Sequence, residues 1–310
     1  MSKIGYIFGP VPSRRLGYSL GIDAIPFKTC TLNCIYCQLG RTAQTTLLRK
    51  EYVKAKKIVK EVKIALSSGK TIDYLTFSGS GEPTLNSKIG EMIREIKEFT
   101  SIPVAVITNG TLLALKEVRE DLRFADLVIP SLDAANQKTF EKINRPFPSL
   151  RIEEIIQGMI EFRKIFSGKL YLEIMLVREV NDSPPELHLL KEAVEKINPD
   201  KVQLNTPVRP PAESWIRRVE REQLEKIKEL LGEKAEIIAE FKRKETRAYL
   251  KNIEEEIYAL LLRRPVTRQE ISATLGLHIN EIVKYLEILE KEGKIKAEEY
   301  AGEKYFQGKE

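Results

Sequence analysis

Three cysteines, and no others, lie within one thirteen-residue stretch, Lys28–Gly40, at spacing C-x3-C-x2-C: Cys30, Cys34 and Cys37. An odd, clustered set fits no disulfide framework. A structural zinc ion requires four protein ligands, and the only histidines, His188 and His278, stand far along the chain. Three thiolates on a tight loop instead suit one [4Fe-4S] cluster whose fourth iron has no protein ligand. The chain must therefore present that loop on a scaffold with room beside the open iron.

The last cysteine is preceded by an aromatic residue, Tyr36. This C-x3-C-x-aromatic-C pattern resembles the signature of the radical S-adenosylmethionine (SAM) superfamily. The resemblance implies that the open iron chelates the amino and carboxylate groups of SAM. One electron, from a donor such as a ferredoxin or flavodoxin, then releases methionine and a 5′-deoxyadenosyl radical that abstracts a substrate hydrogen. In such chemistry the cofactor carries the reaction and the protein orients it and excludes water. The wider segment FGPVPSRRLGYSLGIDAIPFKTCTLNCIYCQLGRT resembles an archaeal and bacterial branch grouped loosely with tRNA wyosine-forming enzymes. With no cysteine left for a second cluster, the resemblance to that group extends to fold and motif rather than substrate.

Beyond the cysteines, strand-like and helix-like patterns alternate. EYVKAKKIVKEVKIALSSGK has the spacing of an amphipathic helix. DYLTFSGSGEPTLN then reads as a buried strand ending in Gly79-Ser80-Gly81-Glu82-Pro83. It resembles the superfamily's glycine-rich SAM amino-group segment, in which glycines admit the ligand to the backbone and Glu82 accepts from its ammonium. Further strands end at Asn109 and at Ser131-Leu132-Asp133, positions that by resemblance reach the ribose and sulfonium of SAM. Two more carry Glu173, Arg178, Asn181 and Asn205 at or after their ends. Helices are expected over 86–99, 111–120, 136–165 and 185–197. Six successive β-α units imply a parallel sheet, and the resemblance implies an α/β fold of the partial (β/α)6 barrel type. GPVPSRR, with Arg14 and Arg15, reads as an extended anion clamp, and PVRPPAESW, with Arg209 and Trp215, as a substrate lid or a packed connector.

The pattern changes near Tyr249, which divides the chain into a barrel, 1–240, and a smaller unit, 241–310. In the second, a helix precedes Pro265, Thr267 and Glu270 form a capping box for another helix, and a third helix ends at Gly293 before a hairpin. This order resembles a winged helix. Its net charge from 250 onward is about −2, poor for counterion release from nucleic acid. A docking, dimerisation or peptide-reading role is therefore expected, with the barrel alone retaining SAM cleavage unless the small unit covers its open side.

Residues 1–60 carry eleven cations against Asp23 and Glu51, within a chain whose overall charge is +6. A positive field around the cysteine segment points to an anionic substrate, tRNA being the leading example, or to a solvated helix face that offsets the cluster. Radical modification of a partner protein docked by the small unit is the alternative, and an iron–sulfur-sensing regulator a third. No apolar run is long enough to span a bilayer and the N-terminus lacks a signal-like stretch, so a soluble cytoplasmic protein without a membrane partner is expected. No residue declares itself as a catalytic acid or base. With histidine so scarce, that role falls to Glu, Asp, Lys or Tyr.

Overall fold

In the computed structural model, residues 5–309 are described except 14, 43–44, 68, 70, 208–210, 240–252, 259, 262–264 and 301. Two of the sequence readings, Arg14 and Arg209, and the expected domain boundary lie outside the described residues.

The apolar runs of the first unit form an eight-stranded sheet in sequential order. Its strands are β1 (Ile7–Ser13), β2 (Gly17–Ile22), β3 (Tyr74–Phe77), β4 (Val104–Thr108), β5 (Leu127–Pro130), β6 (Lys169–Met175), β7 (Lys201–Asn205) and β8 (Ala235–Ile237). From β2 to β8 every pairing is parallel, whereas β1 pairs antiparallel with β2 at the edge. Among the described residues no pairing joins β8 to β1, so the sheet is open, consistent with a partial barrel. Interior strands are buried on both faces, which explains why β5 has no polar alternation.

Helices cross over between the strands. In α1 (Ala55–Leu66), Ala55, Ile58, Val59 and Val62 are buried, and in α2 (Ile89–Phe99) so are Ile89, Met92, Ile93 and Ile96. Both sets follow i, i+3, i+4, i+7 spacing, the stripe that lets one helix face cover a sheet. A 3-10 turn at 111–114 precedes α3 (Lys116–Leu122). The helix expected over 136–165 is two: α4 (Gln137–Asn144), capped by Asn136, and α5 (Ile152–Ile165). Pro146 and Pro148 break it, since proline withholds the N–H that a helix interior needs. α6 (Pro184–Ile197) and α7 (Arg221–Leu231) complete the layer.

GPVPSRR, the expected extended anion clamp, includes strand residues that the sequence pattern does not reveal. It forms most of β1, where a bulge between Phe8 and Val11 and an edge position accommodate the prolines.

In the second unit, β9 (Val266–Thr267), α8 (Arg268–Leu275), α9 (Ile279–Lys291) and the hairpin β10 (Ile295–Tyr300) with β11 (Glu303–Gly308) follow the expected helix–helix–hairpin order. The Thr267–Glu270 capping box is present. Its apolar core, built on Ile257, Leu261, Ile271, Ile282, Leu286, Leu289 and Phe306, shares no buried residue with the core of the barrel. Among the described residues, no helix is long and apolar enough to cross a membrane.

Candidate SAM and cluster site

Because β2 to β7 run parallel, their C-terminal ends gather at one mouth, and the loops that follow carry the polar residues. The cysteine loop after β2 crosses this mouth. All three cysteines are half-buried, free, and line one cavity of about 690 Å³. Each sulfur lies near one side-chain nitrogen, each from a different segment: Asn109 Nδ2 at 3.5 Å from Cys30, Asn144 Nδ2 at 3.4 Å from Cys34, and Lys28 Nζ at 3.5 Å from Cys37. Burial pushes the Cys30 thiol up to about 12, so a metal must displace its proton to bind there.

The Gly79–Glu82 loop after β3 is laced to the start of the cysteine loop. Lys28 N donates to Ser80 O at 2.7 Å and Glu82 N donates to Thr29 O at 3.0 Å. Gly81 is required by this approach, because a Cβ there would sit 1.9 Å from Thr29 O. At Gly79 a Cβ would lie 2.4 Å from the Asp23 carboxylate. The glycines thus answer first to the protein's own packing, a different reason from the ligand approach that the motif implied.

Glu82 is buried and its carboxylate is already occupied. Oε1 accepts from Thr84 N at 3.0 Å, Thr84 Oγ1 at 2.6 Å and Thr108 Oγ1 at 2.6 Å, while Oε2 accepts from Asn109 N at 2.7 Å. Burial pushes its pKa up, and the bonds from Thr108, Thr84 and Asn109 oppose that. Glu82 therefore ties the ends of β3 and β4 together while lining the cavity. Asn109 in turn donates to Thr31 Oγ1 at 2.8 Å, joining the end of β4 to the cysteine loop.

Ser131 lines the cavity, but Asp133 does not. Its carboxylate turns to the cysteine loop, accepting from Tyr36 OH, from Asn144 Nδ2 at 2.7 Å and from Met175 N at 2.9 Å. Burial raises it to about 6 against those bonds. These bonds make Asp133 a brace behind Cys34. Asn181 is likewise structural, donating to Asp133 O and Met175 O, and Arg178 is exposed.

Glu173 and Asn205 do face the cavity. Arg15 grips Glu173 with two bonds, 2.8 and 3.1 Å, and Asn205 Nδ2 donates to the same carboxylate at 2.8 Å. The clamp expected of Arg15 closes on the chain's own glutamate. The described part of the PVRPPAESW segment is similarly committed: buried Glu213 pairs with Arg41 and Arg145, and its N–H donates to Ile35 O at 3.1 Å.

Of the described cations in the basic N-terminal stretch, Arg15 and Lys28 line the cavity and the others lie elsewhere. Arg49 pairs with Asp121 at 2.7 Å, and Lys54, Lys56, Lys57 and Lys60 are exposed on or beside α1. Cavity walls carry Arg15, Lys28, Lys284 and Lys291 against Glu82, Glu173, Glu287 and Glu292, so the described charges cancel.

Lys284, Glu287, Ile288, Lys291 and Glu292 belong to the second unit, so it covers the open side of the barrel, the exception named from the sequence without these residues. α9 roofs the mouth of the barrel. Nothing local in its sequence signals this, because the docking is a tertiary fact.

Residues 24–191 match the family model described as "Radical SAM superfamily". The chain belongs to the radical SAM superfamily. Among its relatives, the UPF0026 protein MJ1312 of Methanocaldococcus jannaschii is 36% identical over 96% of this chain and 94% of its own length. A Brachyspira hyodysenteriae protein named GTPase Obg is 42% identical over 96% of this chain, which spans only 44% of that protein. Among solved structures, SuiB of Streptococcus suis bound to S-adenosylmethionine has the same fold, with TM-score 0.54 at 16% identity, over 71% of this chain and 50% of its own.

Radical SAM proteins are enzymes that use a [4Fe-4S] cluster and SAM, and the donor set here fits both. No group of three His, Cys, Asp or Glu among the described residues converges on a single ion. The cavity size falls within the range of small-ligand sites.

Proposed function

We propose that this radical SAM enzyme holds one [4Fe-4S] cluster on Cys30, Cys34 and Cys37 and binds SAM against the Gly79–Glu82 loop, Asn109 and Ser131. When bound, cluster and SAM would supply a 5′-deoxyadenosyl radical able to take a hydrogen atom from the substrate. One observation carries the reading: a single cavity brings the three thiols, the glycine-rich loop and the ends of β4 to β7 together under α9. The chain's own part is to fix the cysteine loop through Asn109, Asn144 and Lys28, and to shield the mouth from water.

The cavity favours a compact polar substrate over a polyanion. Its charges cancel, Arg15 is committed to Glu173, and Lys291 to Glu287 at 2.8 Å. Polyanion binding draws on cations free to displace counterions. The reduced, reconstituted protein should form 5′-deoxyadenosine faster with the low-molecular-mass fraction of a cell extract than with its RNA fraction. Stimulation by RNA alone, lost at high salt, would favour the tRNA reading instead.

With α9 lining the cavity, the case in which the barrel alone would not suffice is the one to test. A chain ended at Ala239 should bind iron yet cleave SAM far more slowly than the full chain. Cleavage at the full rate would remove the second unit from the active site.

A further inference from the structure

We infer that His278, in the second unit, is a positioning residue for the SAM-binding loop of the first, acting through Asp23; this rests on the reading of the Gly79–Glu82 loop given above. His278 caps the N-terminus of α9, and its Nδ1 accepts from Asn280 N at 3.2 Å. An accepting Nδ1 places the ring proton on Nε2. That nitrogen lies 3.0 Å from Asp23 Oδ2, and both side chains are buried. The same Asp23 oxygen accepts from Ser80 N at 3.1 Å and Ser80 Oγ at 2.5 Å. One carboxylate oxygen therefore links α9 to the middle of the glycine-rich loop.

Packing supports this bond from behind. The His278 ring stacks on Phe8 of β1, centroids 4.3 Å apart and planes 13° from parallel. Phe8 can lie there because its neighbour on β2 is Gly21, where a Cβ would come within 2.0 Å of the Phe8 ring. A second tether holds the same unit to the cysteine loop, where Arg268 Nη1 donates to Gln38 O. Arg268 is itself buried, so the contact is part of a packed interface and not a surface encounter.

With α9 docked, Asp23 is held from one side by His278 and holds Ser80 from the other. Without the histidine, the Asp23 carboxylate keeps Ser80 and a long bond from Ile25 N at 3.4 Å, and the loop's amides gain freedom. Loss of one buried hydrogen bond to a charged group corresponds to about a tenfold change in an equilibrium constant.

The test uses the full chain with His278→Phe, which keeps a ring on Phe8 but removes the donor, and His278→Gln, whose amide N–H can reach Asp23. Hydrogen exchange is measured on the SAM-free protein, and SAM affinity by equilibrium dialysis on the reconstituted one. His278→Phe should raise exchange of the 78–82 amides about tenfold and weaken SAM binding about tenfold, with 282–289 exchanging as in wild type. His278→Gln should move both readouts back towards wild type. Wild-type exchange at 78–82 in His278→Phe would overturn the inference, as would an equal rise across 282–289. If wild type binds no SAM, the exchange result still decides the latch, and the reading of the site fails separately.

Discussion

Alanine at Cys30, Cys34 or Cys37 should each erase the visible absorbance that anaerobic reconstitution gives the wild-type protein, and with it all SAM cleavage. No substitute ligand is at hand. The chain has no fourth cysteine, and each sulfur has a separate neighbour, Asn109, Asn144 or Lys28, fixed to a different segment. Two remaining thiolates leave two irons of a cubane without protein ligands, too few to hold it. Wild type should carry about four irons per chain. Iron analysis giving about eight, with matching sulfide, would mean that a second cluster exists.

Glu82→Ala should be nearly as damaging, but through the protein before the cofactor. The substitution strands four donors: Thr84 N, Thr84 Oγ1, Thr108 Oγ1 and Asn109 N. Buried donors left without an acceptor cost about 1–3 kcal/mol each, offset where water can enter, so a loss of roughly 3–5 kcal/mol in stability is expected. Denaturant unfolding measures it. SAM binding should fall too, since Asn109 and the glycine-rich loop lose their common anchor. A variant with wild-type stability would show that water or a rotated Thr108 takes over the bonds. Glu82→Gln, which keeps one acceptor oxygen, should fall between the two.

Much of this was legible in the sequence. The cysteine spacing, the order of strands β3 to β7 and the glycine-rich loop after β3 all follow from local pattern, because parallel strands are nearly continuous apolar runs and the loops between them carry the polar residues. The roles within the site were less legible. Asp133 stands where a ligand contact is expected, yet it bonds to Tyr36, 97 positions away, and to Asn144 at the far end of α4, contacts that only the tertiary fold makes. The same holds for Arg15 and Glu173, 158 positions apart. β1 was hidden by its prolines, which an edge strand tolerates, and the break between α4 and α5 by an apolar pattern that runs through Pro146 and Pro148. The docking of α9 was the least legible feature, because a helix with mixed Lys and Glu on one face reads as solvated until its neighbours are known.

The central claim is that this cavity binds SAM for reductive cleavage at a three-cysteine cluster. The most direct measurement is 5′-deoxyadenosine formed from SAM by the full chain, reconstituted anaerobically and reduced with dithionite, beside Cys34→Ala treated identically. Slow formation by the wild type without added substrate, and none by the variant, is the predicted result. Equal amounts from both, or none from a wild type that carries its four irons, would contradict it.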